Sequence, residues 1–339
     1  MYGLLKKNRN NPLLSIAKSS IFGNFVIILF ISLAMSLVSS EFLTVVNFNV
    51  IARSISVMAI VGLAQMVILG MGGMNLSVGA IGGLVGVIAG SLMVLMNWPI
   101  ILAVIAGLVV GALCGFINGF FITRLYDASS QLNVPAFLVT LASASIFTGI
   151  NLGITKAVPI YGLPASYISF GRMTVGGISV LIFVLIPVIL VAGFVIHKTL
   201  IGRQILAVGG NTRAAELSGI SINKVAIICN MLSGILAAIA ALIVLARLGS
   251  AQPTVGSEWL LFSFAAPLIG GTKLDGGHVN VLGTILGATL LALVANSLVH
   301  LQVSVYWTTF IHGLIIIVAV GVERFRTIRV EKWGIYKNA

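Results

Sequence analysis

PIILAVIAGLVVGALCGFINGFFIT, residues 99–123, contains no Asp, Glu, His, Lys or Arg. At 1.5 Å per residue, a helix of this length reaches ~37 Å, enough to cross the ~30 Å hydrocarbon core of a bilayer. Gly107, Gly111, Gly115 and Gly119 recur every four residues along it. That spacing lays the glycines on one stripe of a helix, where a second backbone can come close. The stripe reads either as static packing or as a seam along which helices slide. Gly82, Gly86 and Gly90 make a second, shorter stripe.

Working outward, apolar segments of similar character fall near 21–40, 54–73, 77–96, 135–154, 177–197, 225–247, 279–300 and 303–322, with a short one at 258–271 that carries Pro267. With 99–123 they predict an all-α polytopic membrane protein of about ten transmembrane helices, the short segment being broken or re-entrant. Spans must be helical because lipid offers no partner to free backbone groups. The expected organisation is a tail over 1–20, one transmembrane domain over 21–322 and a second tail over 323–339. Composition agrees. Of 339 residues, 59% are hydrophobic and 8% charged, against roughly 25% charged in a soluble domain. Soluble enzymes, disordered chains and nucleic-acid binders are excluded. The net charge of +12 collects in the two tails and in loop 198–224, which the positive-inside rule places in the cytoplasm. Loop 155–176, with Pro159 and Pro164, then lies outside as a compact cap. Cys114 and Cys229 sit in apolar runs and read as small packing residues.

Chemistry is sparse. His197, His278, His300 and His312 stand alone, so no metal site is expected, and no phosphate-binding loop or catalytic constellation is present. Glu258, at a predicted end, is the only acid that comes close to lying inside a span, which argues against ion-driven transport. Energy must then come from a partner, and loop 198–224 offers the handle. Gly209 and Gly210 are expected to turn, and Asn211 to cap a helix over Thr212–Ser218 that carries Arg213, Ala214, Ala215 and Glu216. Gly219 ends it in the left-handed conformation, and Ser221 or Asn223 caps the next span. This reads as a rigid peg for another protein, or more plainly as a solvated connector. Within the membrane, Gln65, Asn75, Ser77, Asn118, Asn151 and Asn296 are neutral donors and acceptors suited to a hydroxylated, uncharged cargo, or to interhelical hydrogen bonds. Gly72–Gly79 and Gly270–Gly277 match at four of eight positions and hint at an internal repeat.

The blocks GGMNLSVG (72–79), GALCGFINGFFITRL (111–125), VPAFLVTLASASIFTGI (134–150), GRQILAVGGNTRAAELSGI (202–220), SGILAAIAALIVLARLGSAQPTVG (233–256) and PLIGGTKLDGGHVNVLGTILGA (267–288) occur in that order. Together they resemble the membrane permease subunit of ribose-type ABC sugar importers. The resemblance implies a type II, cobalamin-importer-like permease fold in the bacterial inner membrane, with a second permease copy or related paralogue beside it. It also implies a cytoplasmic ABC ATPase that uses ATP and Mg and grips 202–220, and an extracytoplasmic sugar-binding protein. No cofactor is expected on this chain. Three departures stand out: Asn75 replaces the usual Asp, residues 127–131 look inserted, and the run after Glu258 reads Trp-Leu-Leu-Phe-Ser-Phe-Ala-Ala. The rival reading is a stand-alone carrier or facilitator for a small neutral solute.

Overall fold

The structure is a computed structural model that describes residues 20–125 and 133–304, with isolated positions between 307 and 321. The tails and the expected tenth span at 303–322 lie largely outside the described residues. Nine helices follow the other nine expected segments in order: α1 (Ser20–Val38), α2 (Val45–Gly70), α3 (Val78–Val94), α4 (Ile100–Leu125), α5 (Asn133–Thr155), then α7 (Val180–Lys198), α10 (Ile222–Leu248), α11 (Trp259–Ile269) and α12 (Val281–His300). Seven of them are long and apolar enough to cross a membrane, while α3 and α11 are shorter. Helix α6 (Ala165–Arg172) belongs to the cap, and α8 (Leu200–Gly210) and α9 (Thr212–Leu217) form an elbow between α7 and α10.

Helix α2 starts nine residues before the expected apolar onset. Thr44 caps it by accepting from the Asn47 N–H. Its early polar residues are satisfied by tertiary partners: Asn47 exchanges amide hydrogen bonds with Asn296 on α12, and Asn49 donates to the Gly177 carbonyl. Hydropathy alone therefore cuts this helix short.

Helix α10 is the central post, and α4 packs along it through its glycine stripe. Gly111 faces the Gly234 carbonyl, Gly115 faces that of Asn230, and Gly119 lies on Ile227. A Cβ at Gly111 or Gly115 would collide with backbone. The second stripe serves a different purpose. After α10, residues 250–258 form no helix and descend along α3. Ala251 sits on Gly90, Val255 on Gly83, Gly256 on Gly79 and the Trp259 indole on Gly82, while a Cβ at Gly86 would meet nothing within 4 Å among the described residues. Irregular backbone at membrane depth is tolerable only when buried in protein. Glycine makes room for it here.

The cap at the 155–179 end combines α6 with four two-residue strands. Strand β1 (Ile160–Tyr161) pairs antiparallel with β4 (Ser250–Ala251), and β2 (Thr174–Val175) with β3 (Ile178–Ser179). The Tyr167 hydroxyl donates to the Leu242 carbonyl (2.8 Å), tying α6 to α10. The compact cap expected for 155–176 is thus observed.

The two glycine-rich breaks are closed in the same way. Gly72 and Gly271 are left-handed, with φ of 78° and 84°. Gly72 N donates to Leu69 O and Gly73 N to Ile68 O; Gly271 N donates to Leu268 O and Thr272 N to Pro267 O. Both are Schellman closures of α2 and α11. The structural equivalence is therefore Gly72 with Gly271, one residue away from the register suggested by the letters.

Candidate functional site

Three features carry the chemistry: a polar hub, a cavity and the elbow. The hub forms where α2 breaks. Asn75 is fully buried and its Oδ1 accepts from both the Ser77 N–H (2.9 Å) and the Ser77 hydroxyl (2.7 Å). Its Nδ2 donates to Ser233 on α10 (3.2 Å). Asn118 on α4 donates to Ser77 (2.7 Å), and Thr140 on α5 accepts from the Leu76 N–H (3.1 Å). The Gln65 amide, oriented to pair, donates to the Asn75 carbonyl (3.0 Å) and accepts from its N–H (3.2 Å). Gln65, Asn75, Ser77 and Asn118 thus meet in one network that satisfies the backbone exposed by the break. Asn75 donates to Ser233, which a carboxylate at this position cannot do.

The other two expected pathway residues lie elsewhere. Asn151 on α5 donates to the Pro253 carbonyl (2.8 Å) and supports the descending segment. Asn296 pairs with Asn47 (2.7 Å) near the cap. All six bind parts of the scaffold to one another, and none lines the cavity described next.

That cavity, of about 270 Å³, lies between α2, α10, the descending segment and α11. Ser54, Arg247, Thr254, Ser257, Glu258 and Trp259 supply its polar and aromatic lining, with valines, Met58 and Phe262 beside them. Arg247 and Glu258 form no ion pair with each other; among the described residues the one ion pair is Arg213–Glu216. Both side chains line the cleft beside the Trp259 indole, which packs on Gly82. Mostly apolar walls with a few fixed polar groups suit a small polar ligand. Sequence reasoning singled out Glu258 and its unusual following run but did not assign this lining. The available signal was the Arg at the end of α10 facing, across ten residues, the Glu-Trp at the start of α11.

The elbow matches its expected caps. Asn211 accepts from the Ala214 N–H (2.9 Å) and Ser221 from that of Lys224 (3.5 Å), while Thr199, a cap the sequence reading did not assign, accepts from the Gly202 N–H. Gly219 closes α9 with φ of 83°. Arg213 and Glu216 pair at 2.9 Å while exposed, a contribution of about 0.3 kcal/mol. One expectation needs correction. Gly209 and Gly210 do not turn; they are the last residues of α8, and the chain breaks at Asn211 (φ −161°, ψ 101°). Their smallness serves contact instead. Gly209 abuts the Gly70 carbonyl and Gly277, Gly277 lies on Gly210, and Gly277 N donates to Gly70 O (3.0 Å). The elbow is therefore held, backbone to backbone, against the end of α2 and the loop between α11 and α12. At its outer surface Leu217 is 77% exposed, an apolar side chain among charges that the sequence reading passed over.

Seven span-length apolar helices built around buried amides, with a non-helical segment inside the bundle, define a multi-pass membrane protein. Residues 47–320 match the family described as the branched-chain amino acid transport system / permease component, and the chain belongs to it. Curated relatives share most of its length. It is 36% identical to the ribose import permease protein RbsC of Haemophilus influenzae over 89% of this chain and 92% of that one. It is 33% identical to RbsC of Bacillus subtilis, over 89% and 92%, and 31% identical to the D-allose transport system permease protein AlsC of Escherichia coli, over 88% and 90%.

Proposed function

We propose that this chain is the permease subunit of an ATP-driven importer for a small neutral sugar. Relatives that import ribose and allose support the cargo class. The cavity chemistry supports it independently. Arg247, Glu258 and the hydroxyls of Ser54, Thr254 and Ser257 can engage sugar hydroxyls, and the Trp259 indole offers an apolar face to the sugar's C–H edges.

In this reading the elbow end and both termini face the cytoplasm, and the cap faces outside, where a binding protein delivers the sugar. One transmembrane domain spans 21–322. A second copy or a related paralogue completes the pathway in a type II arrangement of about ten helices per subunit. A separate ATPase, supplied with ATP and Mg, grips Leu217, Arg213 and Glu216. Closure of the ATPase pair moves α8–α9, and the glycine joint passes that motion to the ends of α2 and α11. The hub around Asn75 then acts as the pivot that keeps the break hydrogen-bonded while α3 tilts.

The observation that carries the reading is the cap-for-cap construction of the elbow and its backbone seat on the two breaks. The test is uptake of radiolabelled ribose into vesicles holding this chain alone, or with the ATPase and binding protein that co-purify with it. Uptake only in the complete system, dependent on ATP, is expected. Equal uptake by the chain alone would establish the facilitator reading instead.

A further inference from the structure

Away from the hub, the cavity and the elbow seat, a second cavity of about 260 Å³ opens between α7 and α10, with Val67 of α2 as its floor. Its lining is wholly aliphatic: Pro187, Val188, Val191 and Val195 on α7 face Leu232, Leu236 and neighbours on α10. Its origin lies in the sequence. Pro187 sits inside α7, where it has no N–H to give to a helical hydrogen bond. Helix α7 leans on α2 and stands off from α10, which leaves a slot.

We propose that this slot is a binding site for one acyl chain of an anionic phospholipid. Along α7 the lining runs from Pro187 to Ile196, ~14 Å at the helical rise. That is close to the depth of one ~15 Å leaflet. Cations stand at the same end of both walls. Helix α7 finishes on His197 and Lys198, and Lys224 lies in the first turn of α10. Arg203 lies on α8, which packs against both. Lys198, Arg203 and Lys224 are exposed, and none is ion-paired among the described residues. An apolar slot about one leaflet long, with unpaired cations beyond one end, Lys198 two residues past Ile196 and Lys224 eight residues before Leu232, suits a lipid tail in the slot with its phosphodiester head toward that end. Long lysine side chains reach from helix ends to the headgroup level. The inference rests only on the chain crossing a bilayer, so its outcome is separable from that of the transport reading.

The test uses fluorescence quenching. Phe194 is 62% exposed beside the lining residue Val195 but does not line the slot, so Phe194→Trp places a reporter at its edge without filling it. The full-length protein is reconstituted with brominated phosphatidylglycerol or brominated phosphatidylcholine, and the quenching of the unsubstituted protein is subtracted. Phosphatidylglycerol is expected to quench at a several-fold lower mole fraction. Adding Lys198→Gln and Lys224→Gln is expected to make the two lipids equivalent. Equal quenching by both lipids in the lysine-bearing protein would reduce the slot to ordinary annular contact. Quenching by neither, with the reporter shielded, would mean that a protein surface covers the slot. Either result overturns the proposal.

Discussion

At the scale of the residue, the proposed cargo contact and the buried hydrogen-bond network predict different outcomes for different side chains. Trp259 lines the cavity and is braced by Gly82. Trp259→Ala is expected to lower sugar uptake at least tenfold with little change in melting temperature beyond that of a cavity mutation, whereas Trp259→Phe retains most of it. Uptake by the reconstituted complex, with melting as the control, separates these outcomes. Asn75 shows the reverse pattern. It satisfies Ser77 twice and Ser233 once, and its removal strands buried donors at about 1–3 kcal/mol each. Asn75→Leu should therefore destabilise the protein by several kcal/mol, read as a fall in melting temperature before any effect on uptake. The residue types were legible in the sequence: amides and a hydroxyl in apolar runs. Their destination was not, because Gln65, Ser77, Asn118 and Ser233 become neighbours only when four separate segments pack.

At the scale of the element, the two glycine stripes look alike as letters and behave differently. Gly115 faces the Asn230 backbone, whereas a Cβ at Gly86 would meet none of the described residues within 4 Å. Gly86→Ala is expected to be neutral, and Gly115→Leu to cost about 3 kcal/mol or more through overpacking of α4 against α10; thermal unfolding of the two variants in detergent measures the contrast. The elbow yields a similar pair. Leu217 points outward and Gly209 inward. Leu217→Asp should weaken co-purification of the ATPase without lowering melting temperature. Gly209→Ala should leave the ATPase bound yet reduce uptake per ATP hydrolysed, because a Cβ there collides with the Gly70 carbonyl. If both variants fail in the same assay, the division between gripping surface and transmitting joint is wrong. The caps of α9 were readable, since Asn, Gly and Ser act locally. The helical state of Gly209 and Gly210 was not, since a contact with segments more than sixty residues away overrides glycine's local preference for turns.

At the scale of the molecule, the bundle is organised around α10 and a non-helical descent. Segment 250–258 is packed by Gly79, Gly83 and Gly90 and hydrogen-bonded by Asn151. It carries Thr254, Ser257 and Glu258 to the cavity between α2 and α10. Asn151→Leu, which cannot donate to the Pro253 carbonyl, should loosen this descent and make Ser257→Cys more reactive to a membrane-impermeant thiol reagent than in the Asn151 protein. Unchanged labelling would remove Asn151 from the support of the site. Cys114 and Cys229 are buried and leave the readout clean.

Sequence alone determined that the chain lives in a bilayer, where its helices begin and end to within a few residues in most cases, and where the elbow is capped. These follow from hydropathy and from hydrogen bonds spanning three or four residues, which are local. Only the tertiary structure decided what the buried amides touch, that the two glycine breaks and the end of α8 share one joint, and that the charged and aromatic residues around Glu258 enclose a cavity. Those outcomes depend on contacts between segments up to 249 residues apart, made by atoms whose positions no single stretch of letters encodes.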